Sequence, residues 1–253
     1  MLLETDGLTK RFGGVTAVDH VDLRIVEGGA LGLIGPNGAG KTTLINLISG
    51  VVRADGGTIR LGGSDITRLP AHRLAALGIA RTFQGVRVFK GLVVRDNVLV
   101  GRHTRMRTDV LARLVPRPRA VPDPDRERVL ALIDRVGLGR RRADALAGEL
   151  PHGDQRRLEI ARALASEPRL LILDEPAAGM NPMESAGLRE LIRGLLAEGL
   201  TILLIEHDVR LVMDTCQRIA VLNFGRKIAD GTPAEIQRDP AVREAYLGTE
   251  AVA

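Results

Sequence analysis

The 253-residue sequence contains one cysteine, no tryptophan and only 2% aromatic residues. The single cysteine, Cys216, excludes an internal disulfide and a thiolate metal cluster, which is typical of proteins in a reducing compartment. The sequence has no apolar run of the roughly 20 residues that a membrane-spanning helix needs. Its start, MLLETDGLTK, lacks the basic and then apolar pattern of a signal peptide. We therefore expect a cytoplasmic protein whose membrane role, if any, is peripheral.

Apolar residues make up 45% of the chain, which is enough to bury a sizeable core. The 36 basic residues, mostly arginine, outnumber the 31 acidic ones and give a net charge of +5. This excess indicates either an anionic partner or a general preference for arginine.

Residues 31–43, LGLIGPNGAGKTT, have the spacing of a phosphate-binding loop between a strand and a helix. Glycines let backbone N–H groups converge on an anion, and a helix start adds unpaired N–H groups and a positive dipole end. Lys41 is expected to reach the β and γ phosphates of a nucleotide, and Thr42 to offer its hydroxyl to Mg²⁺. The residues predicted to bind the nucleotide here are Gly35, Asn37, Gly38, Ala39, Gly40, Lys41, Thr42 and Thr43.

Two adjacent carboxylates, Asp174 and Glu175, follow the unbroken apolar residues 170–173. Such a run is typical of a strand buried on both faces, and charges at its end are costly unless a cation lies nearby. Mg²⁺ beside the Lys41 loop would supply that cation. We therefore predict that Asp174 holds the metal and that Glu175 is the general base that polarises the attacking water. The alternative is a strand-ending turn without a catalytic role.

Gln84 and His207 each follow a predicted strand, residues 79–84 and 201–205. Sheets of α/β proteins bind ligands beyond the carboxyl ends of their parallel strands. Gln84 could therefore hold Mg²⁺ or the attacking water, and His207 could contact the γ phosphate or orient that water. The alternatives are a surface glutamine and a structural histidine.

Phe12 precedes Gly13-Gly14, between predicted strands at residues 1–8 and 18–26. Because the chain has so few aromatic residues, a ring shortly before a phosphate loop is a candidate platform for adenine stacking. Packing within a loop is the alternative.

The rest of the sequence alternates strand and helix patterns, which predicts an α/β fold. A helix is expected after the cap Asp123-Pro124, and the polar, Arg-rich residues 101–122 are interpreted as an insertion with some helix. The other predicted elements are strands at residues 57–61, 218–222 and 227–229, a loop at 85–95, and helices at 70–77, within 150–167, at 182–198, after the Thr232 capping box and at 240–247.

Together these motifs resemble those of the ATP-binding cassette (ABC) ATPases over nearly the whole chain. Residues 35–42 match the family's Walker A loop, Gln84 its Q-loop, residues 173–175 its Walker B motif and catalytic glutamate, residues 178–181 its D-loop, His207 its switch histidine and Phe12 its adenine-stacking aromatic. The resemblance implies a P-loop NTPase (RecA-like) α/β core with an antiparallel β edge, residues 1–84 and 166–253, and a helical signature subdomain, residues 85–165. It also implies ATP and Mg²⁺ as cofactors.

Within this family the chain is similar to the ATPases of importers for branched-chain or other hydrophobic amino acids. The supporting stretches are ARTFQGVRVFKGLVVRDNVLVGRH, QRRLEIARAL, DEPAAGMNP and AYLG. The similarity implies transmembrane permease subunits that dock near Gln84, a second ABC ATPase subunit in a head-to-tail dimer and, indirectly, a periplasmic or extracellular solute-binding protein. The expected location is the cytoplasmic face of the cell membrane, and no nucleic acid partner is expected.

The signature loop departs from the family pattern L-S-G-G-Q, because residues 150–154 read LPHGD. Gly153 is retained as a backbone donor to the partner's γ phosphate, whereas Pro151 lacks the serine hydroxyl. Asp154 is interpreted either as the N-cap of a helix that begins near Gln155, the favoured reading, or as an anion that repels that phosphate. These departures predict a heterodimer with an ATPase whose signature is intact, and a homodimer is the alternative.

Other members of the family stay open as alternatives. An importer of urea or short amides would look much the same, and the ATPase of lipopolysaccharide export shares the QRRLEIARAL region. The longer span between Gln84 and Gly153 favours the amino-acid importers. A soluble ABC ATPase acting on nucleic acid usually carries two cassettes, a coiled coil or a zinc module, and this sequence has none of these.

Overall fold

The structure, a computed structural model, describes residues 1–104 and 124–250. The predicted cap Asp123 and most of the Arg-rich insertion lie outside these residues. The chain divides into two units: unit 1 comprises Met1–Gln84 and Arg169–Ala253, and unit 2 comprises Gly85–Pro168. Among the described residues, no helix is long and apolar enough to cross a membrane.

The elements are numbered in chain order. The strands are β1 (Leu3–Phe12), β2 (Val15–Ile25), β3 (Ala30–Ile34), β4 (Gly56–Leu61), β5 (Ser64–Asp65), β6 (Ile79–Arg81), β7 (Leu170–Asp174), β8 (Thr201–Ile205), β9 (Arg218–Asn223) and β10 (Arg226–Gly231). The α-helices in the described ranges are α1 (Lys41–Ile48), α2 (Ala71–Ala76), α3 (Val94–Gly101), α4 (Pro124–Arg135), α5 (His152–Leu164), α6 (Pro182–Ala197), α7 (Val209–Thr215), α8 (Pro233–Arg238) and α9 (Pro240–Glu250).

Unit 1 contains a six-stranded sheet in the order β10-β9-β3-β8-β7-β6. All neighbouring strands are parallel except the β9–β10 hairpin. Every residue of β3, β7 and β8 is buried, as expected for strands that are covered on both faces. Because these strands are parallel, their carboxyl ends, at Ile34, Asp174 and Ile205, meet at one edge of the sheet.

A second, antiparallel sheet of unit 1 has the order β2-β1-β4-β5 and confirms the predicted β edge. Its buried residues share one hydrophobic core with α1 and the central sheet. β1 and β2 are longer than predicted. Their pairing continues beyond Gly7, with several shifts of register, as far as the turn at Gly13-Gly14. Phe12 therefore ends a strand, paired with Val15, and does not lie in a loop.

The predicted helix caps of unit 1 are confirmed. Asn181 accepts a hydrogen bond from the Glu184 N–H, and the Glu184 carboxylate accepts one from the Asn181 N–H, each over 2.9 Å. Thr232 and Glu235 form the same reciprocal pair at α8. Each box satisfies two N–H groups that a helix start leaves without an intrahelical acceptor, so α6 and α8 begin where the sequence indicates.

In unit 2, α3, α4 and α5 pack against one another through buried apolar faces. We expected a loop at residues 85–95, but α3 begins at Val94. The fully buried Asn97 explains the ordered chain before α3. Its amide oxygen accepts from the Phe89 N–H over 2.8 Å, and its amide nitrogen donates to the carbonyls of Phe89, Leu92 and Val93.

Two further element boundaries differ from the predictions. The edge strand β6 ends at Arg81, so Gln84 lies beyond the strand and not at its last position. The prediction that Asp154 caps α5 is wrong: Pro151 is the N-cap, with extended backbone angles, and accepts the Gln155 N–H over 2.9 Å. Asp154 therefore lies in the first turn of α5, where an acidic side chain still interacts favourably with the helix dipole.

Candidate functional site

The phosphate-loop motif connects β3 to α1 at the carboxyl edge of the central sheet. Three of its glycines, Gly35, Gly38 and Gly40, have left-handed φ values, and two of them, Gly35 at 151° and Gly40 at 98°, also lie close to other backbone. A Cβ atom would collide with the Leu222 carbonyl oxygen at the first position and with the Ala17 carbonyl oxygen at the second. Both positions therefore require glycine, and the loop can keep its backbone close to an anion.

The start of α1 has the properties of an anion site. Its N-cap is Gly40, so no side chain caps this helix, and its first turn contains no acidic residue. The free N–H groups and the dipole end are thus available to a negative ligand. Thr42 is exposed and Thr43 half-buried. Backbone N–H groups, two hydroxyls and an amine together fit a polyphosphate.

Lys41 is buried, with 6% of its surface exposed. Its Nζ donates to the carbonyl oxygens of Gly35 over 2.6 Å and Pro36 over 2.9 Å, within the loop. Burial lowers the pKa of Lys41, and the nearby charges of Glu175 and Asp174 oppose this effect. The Lys41 amine therefore donates to the loop and is also attracted by the charges of Asp174 and Glu175.

Asp174, at the last position of β7, is 2% exposed and pairs with Arg81. The Arg81 Nη2 donates to the Asp174 Oδ2 over 2.9 Å, and the Arg81 Nη1 donates to the Asn46 Oδ1 over 2.6 Å. Arg81 thereby links the end of β7 to α1. Sequence reasoning missed this residue, although an arginine inside an apolar strand was a signal that a buried anion lies nearby.

Glu175 brings two of the predicted residues together. Its Oε1 lies 2.8 Å from the His207 Nε2, and its Oε2 accepts from the Gln84 Nε2 over 3.2 Å. The Glu175 side chain is 15% exposed and that of His207 is 48% exposed. A carboxylate held by an imidazole and an amide at the mouth of a phosphate loop can polarise a water molecule.

Glu206 is a third carboxylate at this edge of the sheet, and it was not among the site residues predicted from the sequence. Glu206 directly follows the apolar strand β8, and Asp174 is likewise found at the end of the apolar strand β7. This similarity was the signal in the sequence that could have identified Glu206. It is 4% exposed and accepts hydrogen bonds from the backbone N–H groups of Ala177 and His207.

Phe12 lies at the tip of the β1–β2 hairpin and is 50% exposed. The Lys10 ammonium lies 5.3 Å from the centre of its ring. The exposed ring is accessible for the predicted stacking on adenine. The alternative, packing within a loop, would bury the ring.

Gly153 belongs to unit 2, where it is buried at the second position of α5. Its N–H precedes the first intrahelical hydrogen bond, which the Gln155 N–H makes to Pro151. Asp154 pairs with Arg142 at this helix start.

Family models match two parts of the chain. The model described as ABC transporter matches residues 18–178. The chain belongs to the ABC transporter ATPase family. A second model, described as branched-chain amino acid ATP-binding cassette transporter, matches residues 226–252. The resemblance inferred from the sequence motifs is thus confirmed, and the chain is a nucleotide-binding ATPase.

Individual ABC relatives match the chain over nearly its whole length. The high-affinity branched-chain amino acid transport ATP-binding protein BraF of Pseudomonas aeruginosa is 47% identical, with 98% of each chain covered. The lipopolysaccharide export system ATP-binding protein LptB of Haemophilus influenzae is 36% identical, again with 98% of each covered. The crystal structure of the ADP conformation of MJ1267, an ATP-binding cassette of an ABC transporter, has a TM-score of 0.85 and 32% identity over 98% of both chains. The predicted P-loop fold is confirmed.

Proposed function

We propose that this ABC ATPase powers the import of branched-chain or other hydrophobic amino acids through a separate permease. The observation that carries the proposal is the 47% identity to BraF over 98% of both chains, together with the C-terminal match to the branched-chain amino acid model. The same C-terminal match favours import over lipopolysaccharide export, the function of the 36% identical LptB. Import of urea or short amides remains the alternative within the same architecture.

In this proposal the phosphate loop binds ATP. Gly35, Asn37, Gly38, Ala39 and Gly40 supply the backbone cradle, Lys41 neutralises the β and γ phosphates, and Thr42 and Thr43 contribute hydroxyls. Phe12 stacks on the adenine, which its exposure at the hairpin tip supports. The bare N-terminus of α1 is the structural feature that supports anion binding most directly.

A magnesium ion fits the residues at the carboxyl edge of the sheet. Thr42, Asp174 and Gln84 offer hydroxyl, carboxylate and amide oxygens, which are the donors that Mg²⁺ prefers. Within the described residues there is no cluster of three or more acidic, histidine or cysteine side chains that could hold a metal. A magnesium ion that enters with the phosphates would take its remaining ligands from them and from water. When bound, it would offset charge on the phosphates.

Glu175 is the proposed general base. The His207 imidazole and the Gln84 amide hold its two oxygens, which keeps the carboxylate pointed into the site. We propose that it polarises the attacking water, while His207 contacts the γ phosphate or orients that water. The amide of Gln84 can exchange its contact with Glu175 for the metal or the water.

The proposed partners are transmembrane permease subunits, a second ABC ATPase subunit and, indirectly, a solute-binding protein outside the membrane. In the head-to-tail dimer, unit 2 presents Gly153 to the partner's γ phosphate as the signature subdomain. Pro151 lacks the hydroxyl of the family's serine, and this supports a heterodimer. The proposed location is the cytoplasmic face of the membrane, held there by the permease through residues 84–95.

Reconstitution tests this function. The chain, the second ATPase and candidate permeases are placed in liposomes with ATP inside and a solute-binding protein outside, and uptake of labelled leucine, urea and a short amide is compared. We expect ATP-dependent leucine uptake, and no membrane association of the chain when the permease is omitted. Uptake of urea in preference to leucine would support the alternative. Binding of the chain alone to DNA, with a steep salt dependence, would contradict the proposal.

A further inference from the structure

Glu206 connects two segments at the carboxyl edge of the sheet. Its Oε1 accepts from the Ala177 N–H over 2.7 Å, in the turn that follows Glu175. Its Oε2 accepts from the N–H of His207 over 3.2 Å, after β8. One buried carboxylate thus binds the backbone beside each of the two side chains that meet at 2.8 Å in the site.

The backbone of Glu175 is strained and needs such support. Its φ is +49°, a left-handed value that side-chain-bearing residues rarely adopt. The turn is otherwise held by backbone hydrogen bonds from the Glu175 N–H to Ile205 over 2.9 Å, from the Ala178 N–H to Glu175 over 3.2 Å and from the Met180 N–H to Ala177 over 3.0 Å. A strained residue persists only where its surroundings fix it, and strained residues of this kind cluster at functional sites.

We propose that Glu206 is a positioning residue for ATP hydrolysis, which fixes the backbone on both sides of the Glu175–His207 contact. This inference rests on the proposed role of Glu175 as general base. Because Ala177 leads directly into residues 178–181, Glu206 also ties that segment to His207. Movement of residues 178–181 would therefore shift the side chains of both Glu175 and His207, because the Glu206 carboxylate connects them.

A passive packing role would not require a charged group here. Burial raises the pKa of Glu206, and the backbone N–H groups of Ala177, His207 and Asp208 counteract that rise. The nearby charge of Glu175 also disfavours a second anion. A carboxylate is nonetheless suited to this position, because it offers one acceptor oxygen to each segment, whereas a glutamine of the same length offers only one in total.

Glu206→Gln tests the proposal in the full chain assembled with its partner subunits. The variant keeps the side-chain length but turns an NH₂ group toward one of the two backbone N–H groups. We expect kcat to fall at least about tenfold while the affinity for ATP stays within about twofold, because the phosphate loop is untouched. Ile192→Val, a mild change in the buried face of α6, is the control for lost stability and is expected to change neither.

Two further readouts separate positioning from a general defect. In a Glu175→Gln background, Glu206→Gln should lower the residual rate by less than about twofold, because the general base that Glu206 positions is already lost. Amide hydrogen exchange at Ala177 should be faster in the variant than in the wild type, with or without ATP. Full additivity, an equal loss of kcat and affinity, or an unchanged kcat would each overturn the role of Glu206. A wild-type assembly that does not hydrolyse ATP would instead overturn the proposed function.

Discussion

The Arg81 Nη2 donates to the Asp174 Oδ2 over 2.9 Å, and the side chains of the two residues are only 8% and 3% exposed. Arg81 also lies 5.1 Å above the ring of Phe83 and donates to the Ser49 Oγ over 3.1 Å. The carboxylate proposed to hold magnesium is therefore already paired through one oxygen, and only the other is left for a metal or its water.

Arg81→Met is expected to lower the free energy of unfolding by about 3 kcal/mol, because it leaves Asp174 buried without its partner. The nearby Lys41 compensates in part, so we expect the low end of the range for broken buried pairs. Urea unfolding measures the change. Arg189→Met is the control: Arg189 pairs with Asp214 at 2.6 Å, but both side chains are 32–40% exposed, and a loss of about 0–1 kcal/mol is expected. Equal losses in the two variants would contradict this account.

Lys41→Ala and Glu175→Gln should separate binding from hydrolysis. Without Lys41, the affinity for ATP should fall about ten- to a hundredfold, which corresponds to one lost charge-assisted bond of about 1.5–3 kcal/mol. Glu175→Gln keeps its contact with His207 and should bind ATP within about twofold of the wild type, while kcat falls at least about a hundredfold. Titration with a fluorescent ATP analogue and phosphate release measure the two effects. The same loss of affinity in both variants would refute the assigned roles.

Phe12→Ala should weaken ATP binding about two- to tenfold, since a stacked ring contributes about 0.5–1.5 kcal/mol beyond its buried area. Binding of tripolyphosphate, which has no base, should not change. Phe89 offers a matched control, because it is similarly exposed, at 49% against 50%, but lies in unit 2. If Phe89→Ala and Phe12→Ala have the same effect, or if tripolyphosphate binding also weakens, Phe12 does not stack on adenine.

The sequence predicted those parts of the fold that depend on local pattern. The buried strands β3, β7 and β8 are continuous apolar runs, and the caps of α6 and α8 have complete local signatures, so both could be located without a structure. The start of α3 could not be located, because it depends on a hydrogen bond from the Val94 N–H to Ala145, which is distant in the sequence.

In the site, too, residues in contiguous motifs could be predicted, and residues that depend on distant partners could not. The phosphate loop and the carboxylates after β7 are contiguous motifs, and the contact between Glu175 and His207 follows from strands that end at one edge. Arg81 and Glu206 were missed because their partners, Asp174 and Ala177, come from other strands or turns. Asp154 was misplaced because a proline with an extended backbone can also occupy the N-cap position.

Cys216 should be inert in the folded chain. Burial raises the pKa of its thiol to about 12, so almost none of it is thiolate at neutral pH. We expect modification by a thiol reagent at about pH 8 to be at least a hundredfold slower in the native protein than in concentrated urea, where the thiol has its ordinary pKa. Raising the pH toward the native pKa should speed the reaction only while the fold persists. Rapid modification of the native chain would show that the thiol is accessible.

The signature loop provides the test of dimer asymmetry. Arg142 pairs with Asp154 and offsets its charge, so Asp154→Gln should change the ATPase rate by less than about twofold. Pro151→Ser restores a hydroxyl that can donate to the partner's γ phosphate, and a charge-assisted bond of about 1.5–3 kcal/mol should raise the rate of the chain alone at least about tenfold. With a second ATPase whose signature is intact, the unmodified chain should already be active. Brisk turnover by the unmodified chain alone, unchanged by Pro151→Ser, would mean that a homodimer suffices.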